Sequence, residues 1–192
     1  MTAISPERWA EAQEGETAFW TSADRTELCR YLDGLYTAFL DIRAQKIKGL
    51  TVLDIGGGPM PLAVLLELPV KSLTVVDPLP MAVTDPPNVT RHVTPAETYQ
   101  GALCDEVWGY NVLQHVIDPA LVISTAKAHA LTRVRWFDWV DSPIASHHPH
   151  SISANWLREQ FPADTWRLTV NQAGSVRVPK VQHYVALVAE RI

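Results

Sequence analysis

A short segment with three consecutive glycines constrains the fold of this chain more than any other. Residues 51–66 read TVLDIGGGPMPLAVLL: an apolar run with β-branched residues, an aspartate, three glycines, two prolines and a second apolar run. This pattern predicts a strand, a tight turn and the start of an amphipathic helix. The glycines at 56–58 can adopt positive φ and leave backbone N–H groups open to a ligand. Pro59 and Pro61 suit the first turn of the helix. A glycine turn without a ligand is the simpler alternative, but a shorter and stiffer turn would serve that purpose.

The residues around the glycines separate two classes of nucleotide cofactor. In the dinucleotide pattern G-x-G-x-x-G the third glycine would fall at Pro61, which does not fit. Asp54 ends the strand just before the glycines, and a carboxylate in this place suits a cationic ligand group such as an amino group. A nicotinamide-dependent oxidoreductase is therefore disfavoured.

The segment DIGGGPM, from Asp54 to Met60, resembles the first motif of the class I S-adenosylmethionine (SAM) methyltransferases, D/E-x-G-x-G-x-G. Met60 stands where that family has its third glycine. The resemblance covers about residues 25–192 and implies a doubly wound α/β domain, Rossmann-like, with a seven-stranded, mostly parallel sheet and an antiparallel terminal strand. It also implies SAM as the cofactor. Residues 1–24 are predicted to form a helical cap segment before this domain.

Two later segments extend the resemblance. Residues 73–76, LTVV, predict a second strand that ends at Asp77, roughly 20 residues past the first motif, where nucleotide-binding folds place an acid that binds ribose. The segment from Cys104 to Pro119, CDEVWGYNVLQHVIDP, resembles the fourth strand of the family and the turn that follows it, beside the methyl donor. These three signals, in this order and spacing, favour SAM binding.

The resemblance implies a set of residues that hold the cofactor. They lie in the glycine turn and after the second, third and fourth strands: Asp54, Gly56, Gly57, Gly58, Pro59, Asp77, Pro78, Leu79, Ala96, Glu97, Asn111, Val112, Leu113 and Gln114. Pro95 takes the place where many family members have an acidic residue for the adenine amino group, so Glu97 or a backbone group would serve there.

The remaining elements follow from apolar periodicity and turn residues. Helices are predicted over residues 6–21, from Ser22 or Asp24 to about Lys48, over 119–130 and over 151–161. Strands are predicted over residues 90–94, 134–140, 166–170 and 183–189, with a loop around Gly174 between the last two. Residues 84–88 are predicted to be a proline-rich loop.

Two histidines are the predicted catalytic residues. Methyl transfer to a hydroxyl of high pKa needs a base, and a neutral imidazole suits that role near pH 7. His115 follows the fourth strand and His148 lies in the loop after the fifth strand. Each has a structural alternative, because His115 can pack or cap the next helix and His148 can be a hydrogen-bonded loop residue. Residues 147–150, HHPH, with Asp141 also resemble a metal site, but no cysteine is near, and no metal is expected.

Two groups of aromatic residues have alternative roles. Trp9, Phe19 and Trp20 can lie over a cleft or pack on the body of the domain, and packing is favoured. The same choice between stacking on a substrate and packing in the core, again with packing favoured, applies to Trp136, Trp139 and Trp156.

Composition and charge exclude other classes of protein. The chain of 192 residues is 47% hydrophobic and 19% charged, which is typical of a globular domain, and its net charge of −5 disfavours a general nucleic-acid binder. Residues 1–123 hold 8 Lys and Arg against 16 Asp and Glu, and residues 124–192 hold 8 against 5. The basic second half suits an anionic substrate or reflects scattered surface charge. Cys29 and Cys104 are predicted to be buried free thiols.

We therefore expect transfer of a methyl group from SAM to an O or N atom of a small-molecule acceptor. The alternative is a non-catalytic binding or interaction protein that keeps the fold, favoured by Met60, Pro95 and the lack of an unambiguous base. No duplex nucleic acid or membrane is expected as a partner, and the oligomeric state is open. The lack of a targeting or membrane-spanning segment predicts a cytoplasmic protein.

Overall fold

Seven strands of the described residues form one sheet, which confirms the predicted α/β class. The computed structural model describes residues 2–22, 26, 47–80, 83–178 and 180–192. The strands are β1 (Thr51–Ile55), β2 (Ser72–Asp77), β3 (Val89–Val93), β4 (Cys104–Tyr110), β5 (Ala130–Val140), β6 (Trp166–Val178) and β7 (Lys180–Arg191). The helices described are α1 (Pro6–Ser22), α2 (Leu62–Leu65), α3 (Pro119–His129) and α4 (Ala154–Glu159), with short 3₁₀ turns at Ala96–Thr98 and Leu113–His115.

The strand order places a crevice beside β1. The order is β3-β2-β1-β4-β5-β7-β6, in which β1 to β5 run parallel and β7 is antiparallel to both β5 and β6. The chain winds outward from β1 to β3 and then returns to the other side of β1 with β4. This reversal is the switch point of a doubly wound sheet, where the carboxyl ends of neighbouring strands leave room for a ligand.

Alternate residues of the central strands pack on opposite faces of the sheet. Leu53 of β1 and Val107 of β4 belong to one buried cluster, together with residues of α3 and α4. Val52 and Trp108, their neighbours in sequence, belong to the other, together with residues of α2. Helices therefore cover both faces, as a mostly parallel sheet requires.

Two predicted boundaries near glycine and proline are wrong. Helix α2 begins at Leu62 and has four residues, so Pro59 and Pro61 precede it, and Pro61 is its N-cap in an extended conformation. Gly174 lies inside β6 opposite Tyr184, because the pairing of β6 with β7 extends from Trp166 opposite Arg191 to Val178 opposite Lys180. A Cβ at Gly174 would lie 2.7 Å from the Tyr184 hydroxyl, so this glycine makes room for a cross-strand ring.

Other predicted elements are confirmed with shifted ends. Helix α4 begins at Ala154 and is shorter than the predicted 151–161. Ser153 is its N-cap, and the Ser153 side chain accepts a hydrogen bond from the N–H of Trp156. Asp118 caps α3 by accepting from the N–H groups of Ala120 and Leu121.

Cys104 is a buried free thiol. Most of the helix that was predicted from Ser22 or Asp24 to about Lys48 lies outside the described residues. Cys29 lies outside them as well. Within the described part of the chain, no helix has the length and apolarity needed to span a membrane.

Candidate active site

A cavity of about 540 Å³ opens at the carboxyl ends of β1, β2 and β4 and is bordered on one side by α1. This volume is in the range of small-molecule and cofactor sites. It is lined by twelve of the fourteen predicted cofactor residues and by both predicted catalytic histidines. Pro59 and Leu113 do not line it, and Leu113 is fully buried in the core.

The glycine turn needs its glycines for both conformation and space. Gly56 and Gly58 have φ values of +70° and +55°, which side chains rarely adopt. A Cβ at Gly56 would lie 2.3 Å from a methyl carbon of Val112, in the turn after β4. A Cβ at Gly57 would lie 3.0 Å from the carboxylate of Asp54. The turn therefore brings bare backbone against the cavity and against the end of β4.

Asp54 carries a buried carboxylate whose Oδ2 has no hydrogen-bond partner among the described residues. The residue is 1% exposed and lines the cavity. Burial, and secondly the nearby Asp77, raise the pKa of Asp54 to about 7. A buried carboxylate without a cation is costly, so the geometry provides a place for a positively charged ligand group.

Asp77 closes the other side of the glycine turn. Its Oδ2 accepts from the N–H of Gly58 at 2.9 Å and its Oδ1 from the N–H of Leu79 at 2.9 Å. Burial raises the pKa of Asp77, although these two hydrogen bonds oppose the shift. Each carboxylate oxygen keeps a further lone pair for a ligand hydroxyl.

Glu97 lines the cavity but already has two backbone partners. Its Oε1 accepts from the N–H groups of Ile117 and Asp118, at 2.8 and 3.1 Å. The side chain thus ties the 3₁₀ turn after β3 to the start of α3. Pro95 and Ala96 line the cavity beside it.

The turn after β4 has a strained residue and an open acceptor. Asn111 has φ +58° and donates its N–H to the carbonyl of Phe137 at 2.7 Å. Gln114 Nε2 donates to the Asn111 side chain at 2.5 Å, and Gln114 Oε1 has no partner among the described residues. Below the turn, the buried Asp138 accepts from the N–H of Leu113 at 3.3 Å, and burial raises its pKa to about 7.

Glu16 and the histidines lie at the end of the cavity next to α1. Nδ1 of His115 is 3.1 Å from Oε1 of Glu16 and 3.0 Å from the carbonyl oxygen of His147. The ring of His148 stands edge-on to that of His115, with centroids 4.7 Å apart. Both oxygens that face Nδ1 are acceptors, so this nitrogen carries a proton.

The charges of this group are set by its surroundings. Burial, and then the neighbouring His115 and His147, lower the pKa of His148 to about 4, so its imidazole is neutral near pH 7. Burial alone would raise the pKa of Glu16, but the hydrogen bond and charge of His115 leave it lowered. Among the histidines of the loop, His150 is turned inward: it is buried and its Nε2 bonds the carbonyl of Val116 at 2.9 Å.

The aromatic residues of α1 lie over the cleft, against the favoured expectation that they pack on the domain. Trp9, Phe19 and Trp20 line the cavity. Trp139 lines it as well, whereas Trp136 is fully buried in the core, as expected. Aromatic rings and histidines therefore both border the cavity, and the ring of Trp20 lies 3.5 Å from the position of a Cβ on Gly58.

Comparison with solved structures identifies the fold. The chain is similar to the 1,6-didemethyltoxoflavin-N1-methyltransferase of Burkholderia thailandensis, with a TM-score of 0.64 and 18% identity, over 100% of this chain and 92% of that one. It is also similar to the magnesium protoporphyrin IX methyltransferase of Synechocystis, with a TM-score of 0.63 and 16% identity, over 88% and 81% of the two chains. The chain has the class I methyltransferase fold. Neither a protein-family model nor a curated protein sequence matches it.

The class I methyltransferase fold does not by itself fix the reaction. A (4+2)-cyclase, SpnF, is also similar to this chain, with a TM-score of 0.68 and 12% identity, over 88% and 84% of the two chains. The reaction must therefore be argued from the side chains of the site.

Sequence reasoning missed three residues of this methyltransferase-fold site: Glu16, Gln13 and Asp138. A signal for the first two was present, because Trp9, Gln13, Glu16 and Trp20 recur at the spacing of one helix face. Gln13 donates from Nε2 to the carbonyl of His115 at 3.1 Å, so that face of α1 contacts the turn after β4. Asp138 gave no signal, because nothing in the sequence of β5 distinguishes it from the other polar residues of that strand.

Proposed function

We propose that the protein is a SAM-dependent methyltransferase that acts on an O or N atom of a small molecule. The observation that carries this proposal is the unpartnered, buried Oδ2 of Asp54 in the cavity beside the glycine turn. A cationic amino group on a nucleotide-like ligand matches that carboxylate, whereas the diphosphate of a dinucleotide would be repelled by it. The neighbours with bound SAM or S-adenosylhomocysteine have the same fold.

We call the part of the cavity beside Asp54, the glycine turn and Asp77 the cofactor half, and its residues suit the separate parts of SAM. We assign Asp54 to the amino group of its methionine moiety and Asp77 to its ribose hydroxyls. The open Oε1 of Gln114, at the carboxyl end of β4, is available to the same ligand. The further residues proposed to hold it are Gly56, Gly57, Gly58, Pro78, Leu79, Ala96, Glu97, Asn111 and Val112. When bound, SAM supplies a methyl group that is already activated by the positive sulfonium.

The other half of the cavity holds the acceptor. His115 and His148 are proposed to act on the acceptor atom, because both line the cavity and the imidazole of His148 is neutral near pH 7. The protein's contribution is to hold the acceptor in line with the methyl group and to take up the proton that the acceptor O–H or N–H loses when the methyl group is transferred. The rings of Trp9, Phe19 and Trp139 favour a flat, partly apolar acceptor.

Calorimetric titration tests the cofactor assignment. We expect SAM and S-adenosylhomocysteine to bind with micromolar dissociation constants and NADH not to bind. The Asp54→Asn variant should weaken binding strongly, while Asp164→Asn, at an exposed position before β6, should not. If the wild-type protein bound neither SAM nor S-adenosylhomocysteine, the proposal would fail.

A non-catalytic protein that binds the same ligand is the second candidate. It is favoured by Met60, which is buried and lines the cavity at the place of the third glycine in the resembling family. The test is transfer of a labelled methyl group from SAM to a panel of small-molecule acceptors. Production of S-adenosylhomocysteine with a labelled product supports the methyltransferase, and tight SAM binding without any transfer supports the second candidate.

A further inference from the structure

We propose that Glu16, His115 and His148 bind a divalent transition-metal cation, with zinc as the type case, at the acceptor end of the cavity. One ligand atom from each residue lies within 4.8 Å of the other two. The three residues come from α1, from the 3₁₀ turn after β4 and from the loop after β5. All three are partly buried and line the cavity, so a cation held by them would face the ligand space.

The spacing of two of the donors already fits a metal site. Zinc binds imidazole nitrogen and carboxylate oxygen at about 2.0–2.2 Å, so neighbouring ligands of a tetrahedral site are roughly 3.3–3.5 Å apart. Nδ1 of His115 is 3.1 Å from Oε1 of Glu16. The ligand atom of His148 lies within 4.8 Å of the donor atoms of both other residues, so the three donors stand together at the cavity wall.

One proton on His115 cannot fully satisfy both of the oxygen acceptors that face it. Nδ1 of His115 carries one proton at most, but it faces two acceptors, the Glu16 carboxylate and the carbonyl oxygen of His147 at 3.0 Å. A divalent cation in place of that proton would be attracted by both oxygens at once. The His147 carbonyl is then available as an additional oxygen donor.

The chemistry of the donors selects the class of cation. Two imidazole nitrogens and one carboxylate oxygen suit zinc and other first-row transition metals, whereas Mg²⁺ and Ca²⁺ prefer oxygen donors throughout. Three protein ligands leave a coordination position open toward the cavity.

The open coordination position gives the metal site a role in binding the acceptor. This role rests on the proposed methyltransferase function. A cation there would hold an acceptor through an oxygen atom beside the cofactor half, and His115 and His148 would then act on the acceptor through the cation instead of as bases. The acceptor class is thus a flat molecule with a hydroxyl or carboxylate oxygen next to its ring. From the sequence, no metal is expected at the stretch HHPH, residues 147–150. In the proposed site only His148 of that stretch is a side-chain ligand, together with Glu16 and His115, and His150 is turned into the core.

Metal titration of the protein, freed of metal by a chelator and without SAM, tests the inference. We expect Zn²⁺ to bind one to one in competition with a chromophoric chelator, and Co²⁺ to give the visible absorption of a four- or five-coordinate site. His148→Ala should weaken Zn²⁺ binding by about 100-fold or more, since even residues that only support a metal ligand change affinity 10–100-fold. Glu16→Gln, which keeps an oxygen acceptor for His115 but loses the charge, should also weaken it.

A matched control removes a histidine elsewhere on the surface. His183 on β7 is exposed and its Nδ1 is 2.9 Å from the hydroxyl of Ser175, so His183→Ala should leave Zn²⁺ affinity unchanged. Equal affinities of the wild-type, His148→Ala and His183→Ala proteins, each with a wild-type circular dichroism spectrum, would overturn the inference. So would the absence of one-to-one binding to the wild-type protein.

The outcome is independent of the cofactor assignment. SAM titration of the chelator-treated protein tests the proposed function alone. If SAM binds but Zn²⁺ does not, the metal site is wrong, the methyltransferase proposal stands, and Glu16 is a residue that orients the His115 base. If Zn²⁺ binds but SAM does not, the metal site stands and the acceptor role given to it fails.

Discussion

The N–H of Gly58 donates a 2.9 Å hydrogen bond to Oδ2 of Asp77, which joins the turn after β1 to the end of β2. The carbonyl of Gly58 is held from the other side, since it accepts from Nη1 of Arg91 at 2.5 Å. Arg91 is itself fixed by Asp85, with Nε and Oδ2 2.7 Å apart. The turn that borders the cofactor half of the cavity is thus positioned by side chains of two other segments.

Replacing Asp77 with alanine should therefore weaken SAM binding through two effects. The variant loses the proposed bonds to the ribose hydroxyls and also the bond that positions Gly58. We expect a loss of about 2–4 kcal/mol, or roughly 30- to 1,000-fold in the dissociation constant. Calorimetry measures it, with Asp164→Ala as an exposed control. An unchanged affinity would contradict the assignment of Asp77.

Binding of S-adenosylhomocysteine should depend on pH through Asp54. Its pKa is raised to about 7 in the free protein, mainly by burial, from an ordinary value of 3.8. The ligand's amino group favours the ionised carboxylate, so binding expels a proton when the pH lies below 7. Affinity should be nearly constant above about pH 7.5 and fall up to about tenfold per pH unit below 7.

The measurement is the dissociation constant at about pH 8, 6.5 and 5.5, together with the proton release in two buffers of different ionisation enthalpy. The Asp54→Asn variant should bind weakly at every pH and release fewer protons. An equally steep dependence in that variant would assign the titration to another group, and a flat profile in the wild-type protein would contradict the prediction.

Gly56 and Val112 should be coupled in stability, because a Cβ at Gly56 would lie 2.3 Å from Cγ2 of Val112. Gly56→Ala should lower the free energy of unfolding by about 1–3 kcal/mol from this overlap, in addition to the strain of alanine at positive φ. Gly49→Ala is the matched control, because Gly49 also has positive φ, +82°, but nothing lies within 4 Å of its Cβ position.

The double variant Gly56→Ala/Val112→Ala separates the two effects. Its loss of unfolding free energy, measured in urea, should be smaller than the sum of the losses in the two single variants, since removal of the Val112 methyl groups relieves the overlap. Strict additivity, or equal costs for Gly56→Ala and Gly49→Ala, would show that the two segments do not meet as closely as the structure has them.

Much of the fold could be predicted because its signals are local. The strand, the glycines and Asp54 stand in one stretch, and a buried parallel strand reads as a short apolar run. The same reasoning failed at Gly174. A glycine in the sequence is typical of a turn, but it is equally compatible with a strand position opposite a bulky ring, which is where Gly174 lies. It also gave no sign of Arg135, which is fully buried and pairs with Glu106 at 2.6 Å across β4 and β5.

The sequence alone determined the glycine turn, the parallel strands that carry it and the residues that end those strands. These follow from backbone freedom at glycine and from apolar periodicity, which act between near neighbours in the chain. Only the tertiary structure decided that Glu16 of α1 meets His115, and that Asp138 lies under the turn after β4. Those contacts join distant segments whose relative position is set by packing against the sheet, and no local pattern encodes that position.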